Sequence, residues 1–132
     1  MRDELKIKIY RGANQIGGCA TEISYGEERI LIDLGANLPG TDENTSISDK
    51  ELVKKVFDGR PCKGVFFTHY HGDHYGLYRM IPKDVDMYIG ETAKEIISVV
   101  AKTLSRFEGD GDVEVISGMK IYRHGVPVFQ DG

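Results

Sequence analysis

Cysteine is scarce in this chain: Cys19 and Cys62 are the only two in 132 residues. Two thiols cannot build a disulfide scaffold, and these two are unlike a zinc thiolate pair. Their neighbours are apolar or glycine-rich, so both read as small core or loop residues. Long hydrophobic runs are missing too. Nothing approaches the ~18 consecutive apolar residues that a membrane helix needs, and no membrane is expected among the partners. The opening Met1-Arg2-Asp3-Glu4-Leu5 is charged and then strand-like, unlike a signal peptide, and the expectation is a cytoplasmic protein. A basic excess is also lacking, with 17 Lys and Arg against 21 Asp and Glu for a net charge of −4. That is no electrostatic footprint for nucleic acid, although a local groove can be positive on an acidic protein. Repeats, low-complexity tracts and linkers are absent. What remains is an ordinary globular composition, 40% hydrophobic and 29% charged, with room for one domain and a modest core.

The informative segment is His69-Tyr70-His71-Gly72-Asp73-His74. It holds three of the chain's 4 histidines and one carboxylate, directly after the apolar Val65-Phe66-Phe67-Thr68. Neutral imidazole and carboxylate are the ligands that zinc and its neighbours prefer. Crowding them on one loop is costly unless a cation holds them together. Side chains two apart in an extended segment point the same way, so His69 and His71 can grip one ion. Asp73 and His74 follow the glycine bend and can face a second. The reading is a metal site.

The surrounding pattern is α/β. Residues 6–10 alternate with period two as a half-buried strand, residues 19–25 form a second strand, and Gly26-Glu27-Glu28 turns into a third at residues 30–32. The unbroken apolar run Ile30-Leu31-Ile32 predicts burial on both faces. Residues 38–44 are a loop. Ser48 and Glu51 have capping-box spacing, Ile47 and Leu52 that of a hydrophobic staple, and Gly59 with Pro61 ends the helix they open. Residues 63–68 are a strand that delivers the histidine loop at its C-terminal end, where α/β architectures place chemistry. A short helix is expected over residues 75–80 and a strand over 86–89. A second capping box, Thr92 with Glu95, opens a helix whose stripe Ala93, Ile96, Ile97, Val100, Ala101, Leu104 and Phe107 is assigned to the core. Residues 109–112 read as a turn, and 113–116, 120–123 and 126–129 as strands.

Two weaker motifs fall away. Gly12 and Gly17 have P-loop spacing, but Gly18-Cys19 replaces the Lys-Ser/Thr that phosphate binding requires. A strand-to-strand turn needing positive φ accounts for them better. Glu108-Gly109-Asp110-Gly111-Asp112 lacks the alternating ligands of a calcium loop.

The hexapeptide resembles the signature of the metallo-β-lactamase superfamily of hydrolases. Arg29-Ile30-Leu31-Ile32-Asp33-Leu34-Gly35 is similar to that family's strand ending in an Asp followed by a Gly. The opening Ile9-Tyr10-Arg11-Gly12-Ala13-Asn14-Gln15-Ile16-Gly17-Gly18-Cys19 looks like the start of the ribonuclease J and β-CASP branch, which cuts RNA. The resemblance runs in order over nearly the whole chain. It implies the N-terminal half of a metallo-β-lactamase αββα sandwich, a mixed sheet with helices packed on one face. It further implies that His69 and His71 bind a first ion and Asp73 and His74 a second. The ions would be zinc, with manganese and iron left open. In that picture Asp33 braces the loop from behind, whereas its bare sequence context also fits a carboxylate capping a turn. Two divalent ions about 3.5–4 Å apart share a hydroxide and polarise the oxygen under attack. Asp73 would orient that hydroxide and is the catalytic residue. The expected activity is metal-dependent hydrolysis of a phosphodiester, with RNA as the partner. Thioester, lactam or lactone hydrolysis in the same fold, a non-catalytic metal-binding module and a di-iron oxidoreductase are the alternatives.

Several residues are left outside the site. Tyr70 and Tyr75 flank the ligands and read as semi-buried packing. His124 follows a strand and precedes another, and is read as a solvated loop histidine. The downstream aspartates Asp110, Asp112 and Asp131 all sit in turn-like sequence. Four ligands over two ions leave each ion about two protein donors, where a catalytic zinc generally has three. Residues 1–132 are therefore expected to be a single partial domain, truncated at its C-terminal end, inactive or nearly so alone. It would be completed by the missing C-terminal half or by homo-oligomerisation.

Overall fold

Among the described residues, six strands form one mixed sheet whose spatial order follows the chain, β1 to β6. The computed structural model describes residues 4–13, 15, 17–40, 46–108 and 111–129. Asn14, Ile16, residues 41–45 of the expected loop, Asp110 and Asp131 lie outside it. β1 (Leu5–Arg11), β2 (Ala20–Tyr25) and β3 (Glu28–Ile32) are an antiparallel meander. β4 (Val65–Phe67), β5 (Met87–Gly90) and β6 (Lys120–Tyr122) then add in parallel. Parallel neighbours need crossovers, and helices supply them. α1 (Asp49–Val56) links β3 to β4, and α2 (Gly72–Tyr75) with a 3-10 turn at Tyr78–Met80 links β4 to β5. α3 (Glu91–Glu108) and α4 (Gly111–Ser117) link β5 to β6.

The pleat separates two faces. Leu31, Val65, Phe67 and Ile89 are fully buried and register side by side under the helices. Leu52 and Val56 of α1, Ile97 and Ala101 of α3, and Ile116 of α4 complete that core. The helices therefore pack on one face, as expected. The opposite face is a continuous apolar surface. Leu5, Ile7, Ile9 and Tyr25 are exposed on it, and Ile23, Ile30, Ile32 and Phe66 half-buried. Burial of Ile30 and Ile32 on both sides is thus not complete: Leu31 points into the helix-covered core, its neighbours onto the open side.

The local signals of α1 hold. Ser48 caps the helix, its hydroxyl accepting from the Glu51 N–H, and Leu52 and Val56 are buried. Other readings change. The 113–116 segment is helix α4, not a strand, with Ile116 turned into the core. α3 starts at Glu91, straight from Gly90 of β5, so Thr92 lies inside the helix and caps nothing. Of its apolar stripe, Ile97 and Ala101 are buried, while Ile96, Val100 and Leu104 are exposed. Residues 126–129 are not a strand; they fold over the open face, with the Phe129 ring edge-on to Phe66 and Tyr88. Among the described residues no helix is long and apolar enough to cross a membrane.

Candidate metal centre

Parallel neighbours β3 and β4 end on the same edge of the sheet, so Asp33 and Thr68 leave it side by side. The Asp33 N–H extends the ladder to the Phe66 carbonyl at 2.8 Å. Its backbone then turns into the left-handed region, with φ 62°, a conformation costly for a residue other than glycine. The turn buries the carboxylate, leaving Asp33 5% exposed, and surrounds it with donors. Oδ1 accepts the Thr68 N–H at 2.7 Å, and Oδ2 accepts the Thr68 hydroxyl at 2.8 Å. His74 Nδ1 also lies 2.8 Å from Oδ2. Asp33 thus ties the end of β4 to the start of α2. Strain at one residue is offset by three hydrogen bonds.

Main-chain bonds sew the histidine loop to the segment after β3 and to the turn before β2. The Leu34 N–H donates to the His74 carbonyl at 2.9 Å, Ala36 to Gly72 at 3.0 Å and Cys19 to Asp73 at 3.2 Å. The approach is so close that a Cβ built on Gly35 would lie 1.7 Å from the Asp73 carbonyl oxygen. Gly17, at φ +78°, meets the other side of Asp73: a Cβ there would sit 2.9 Å from the Asp73 Cβ. Gly12, Gly17 and Gly18 all have positive φ, as the turn reading requires.

Arg11 holds these turns together, and sequence reasoning gave it no role. A register irregularity between Ile9 and Arg11 pairs Arg11 with Ala20 and brings it to the helix-covered side. There its buried guanidinium donates to the carbonyls of Gly18 at 2.8 Å, Gly35 at 2.7 Å and Ile47 at 2.9 Å, and to Asp49 Oδ1 at 2.8 Å. Nothing in the residue pattern around Arg11 announces a bulge.

The four expected ligands lie near one another in pairs. The rings of His69 and His74 lie 3.8 Å apart by centroid, and those of His69 and His71 5.0 Å. Asp73 Oδ2 is 3.5 Å from His74 Nε2. His71 occupies the N-cap position of α2, with Asp73 and His74 in its short helical turn. The donor types suit a divalent ion, and a carboxylate behind an imidazole is the usual way such a ligand is oriented. Among the described residues, however, no three His, Cys, Asp or Glu side chains are placed to hold one ion together. The cluster matches in chemistry and falls short in convergence.

The neighbours are less reactive. Burial, with Asp33 and Asp73 nearby, pushes the Cys19 thiol up, away from the thiolate form. Tyr75 packs edge-on to Phe67 and stacks on Tyr78, so it serves the core, while Tyr70 is exposed beside His71. His124 lies exposed in the turn after β6. Asp112 stands in the first turn of α4 and pairs with Arg79. An apolar cleft of about 300 Å³ on the open face, lined by Ile30, Ile32, Phe66, Tyr122 and Val128, reaches Thr68.

Comparison with known proteins places the fold. The model of the metallo-beta-lactamase superfamily matches residues 19–117, from the start of β2 to the end of α4. The chain belongs to the metallo-β-lactamase superfamily. The transcription termination factor FttA of Methanosarcina mazei is 34% identical over 79 residues, which are 60% of this chain and 12% of that protein. A protein of unknown function from Enterococcus faecalis V583 has a similar fold, with a TM-score of 0.61 at 16% identity over 89% of this chain and 33% of its own. The chain thus spans a small part of either relative's length. The metallo-β-lactamase match includes Asp33, Gly35 and the whole histidine loop.

Proposed function

We propose that this chain carries the metal-holding edge of a metal-dependent hydrolase that acts on phosphodiesters, RNA foremost. The observation that carries the reading is the braced cluster: His69, His71, Asp73 and His74 on one loop, fixed through Asp33 to the adjoining strand. On this reading His69 and His71 hold one divalent ion and Asp73 and His74 another, zinc being the first choice. Such ions, when bound, lower the pKa of water and polarise a phosphoryl oxygen. The chain's own contribution is rigidity: Asp33 orients His74, and Gly17 and Gly35 let the backbone close on Asp73. The RNA assignment draws on the name of the Methanosarcina mazei relative, a transcription termination factor, since RNA is what transcription makes. The remaining donors come, on this reading, from a further segment or from a second copy set against the open sheet face.

A non-catalytic metal-binding module is the second reading: the donor types on the loop suit an ion, and holding one needs no substrate. One experiment separates the two. A protein containing this chain is incubated with zinc or manganese and a single-stranded RNA, beside its His69→Ala variant. Cleavage lost in the variant supports the hydrolase; equal cleavage by both refutes it. Zinc binding without cleavage by either identifies the module.

A further inference from the structure

Hydrogen counting around Asp33 assigns a role to Thr68. An ionised carboxylate only accepts, and the Thr68 hydroxyl carries a single proton. With Oγ1 2.8 Å from Asp33 Oδ2, that proton lies on the bond to Asp33. Toward His69 Nδ1, 3.0 Å away, Thr68 therefore presents a lone pair, and Nδ1 must be the nitrogen that bears hydrogen. His74 Nδ1, 2.8 Å from the same Oδ2, must donate as well. One buried carboxylate thus sets two imidazoles, His74 directly and His69 through a hydroxyl.

We propose that Thr68 is a positioning residue that fixes His69 in the tautomer with hydrogen on Nδ1, leaving the Nε2 lone pair free for an ion. The proposal rests on the reading of His69 as a metal ligand, because its consequence is a prepared Nε2 donor. The hydrogen bond made by one ring nitrogen decides which tautomer the other presents. A free imidazole side chain favours hydrogen on Nε2, which blocks that atom as a ligand. Thr68 reverses the preference at His69 without a carboxylate of its own. The Thr68 backbone N–H holds Asp33 Oδ1 independently at 2.7 Å, so the hydroxyl is separable from the tie that keeps the loop in place.

The test uses the whole chain, stripped of metal with a chelator and labelled with nitrogen-15. Two-bond proton–nitrogen correlations are recorded at alkaline pH. Expected in the wild type is a pyrrole-type Nδ1 and a pyridine-type Nε2 at both His69 and His74. Thr68→Val, which keeps the backbone donor, converts His69 alone to the Nε2–H form. Thr68→Ser restores the wild-type pattern. A zinc titration against a chromophoric chelator shows affinity about 10–100-fold lower in Thr68→Val and wild-type-like in Thr68→Ser. Three results overturn the proposal: Nε2–H at His69 in the wild type, an unchanged His69 in Thr68→Val, or an equal change at His74. Should Thr68→Val fail to fold, Thr68→Ser decides, since an Nε2–H His69 there overturns it too. The tautomer measurement needs neither metal nor turnover, so its outcome is separate from that of the RNA-cleavage experiment.

Discussion

Gly35→Ala adds one carbon at the tightest contact near the ligand loop. The new Cβ would start 1.7 Å from the Asp73 carbonyl oxygen and 2.1 Å from its carbonyl carbon, both backbone atoms that no rotamer change can move. Ordinary contact begins at 3.4 Å, so α2 and the segment after β3 must part by about 1.7 Å. Three main-chain bonds span that seam, Leu34 to the His74 carbonyl, Ala36 to that of Gly72 and Leu77 to that of Leu34. Each contributes about 1 kcal/mol net, and more if a buried group is left unpaired. The expected loss is about 3–5 kcal/mol, a large part of the roughly 5–15 kcal/mol that folded domains have. Urea unfolding followed by circular dichroism measures it, and zinc affinity should fall in the same variant because Asp73 and His74 sit on the displaced turn. A Gly35→Ala chain within about 1 kcal/mol of wild type would refute the steric argument. It would show that the seam opens freely.

Arg11→Lys should cost about 3 kcal/mol, because one ammonium cannot reach the three carbonyls and the carboxylate that the planar guanidinium spans. Urea unfolding checks this, and a change below about 1 kcal/mol would remove Arg11 as the latch of the loops. Glu22 is paired with Arg29 at 2.7 Å, both side chains almost wholly buried. Burial alone would raise its pKa, but hydrogen bonds from Arg29 and Tyr10, with the nearby Arg60 charge, outweigh it and lower the value from 4.5. A depressed carboxylate stabilises the fold above its unfolded pKa and loses that contribution as pH falls through the folded one. Glu22→Gln should therefore be about 3 kcal/mol less stable at pH 7 and show a shallower loss of stability below about pH 4.5. Parallel acid limbs in the two proteins would disprove the linkage.

Local chemistry was readable from residues close in sequence. Ser48 and Glu51 gave the cap of α1, the glycines at 12 and 17 the positive-φ turn, and the hexapeptide the clustered donors. Where tertiary context decides, the pattern misled. Val113, Val115 and Ile116 are β-branched and read as strand, yet the segment forms α4, with Ile116 buried in the core. Thr92 and Glu95 have the right spacing for a cap, but α3 begins directly after β5 and leaves no turn to cap. Periodicity identified the apolar stripe of α3 and could not say what covers Ile96, Val100 and Leu104. Arg11 was invisible because its partners lie on three segments up to 38 residues away, reached only through the shifted pairing with Ala20.

Strand order has a consequence for how the molecule is made. Each strand pairs only with the one before and the one after it in the chain, from β1 through β6. A sheet built this way needs no late strand to insert between early ones, so it can extend at one edge while synthesis proceeds from the N-terminus. The ties that order the histidine loop are formed early in that sequence. Asp33, Thr68 and His74, and the Leu77 N–H that closes on the Leu34 carbonyl, have all emerged before β5 exists. The donor cluster can therefore assemble on a nascent four-stranded sheet, ahead of the elements that later widen it.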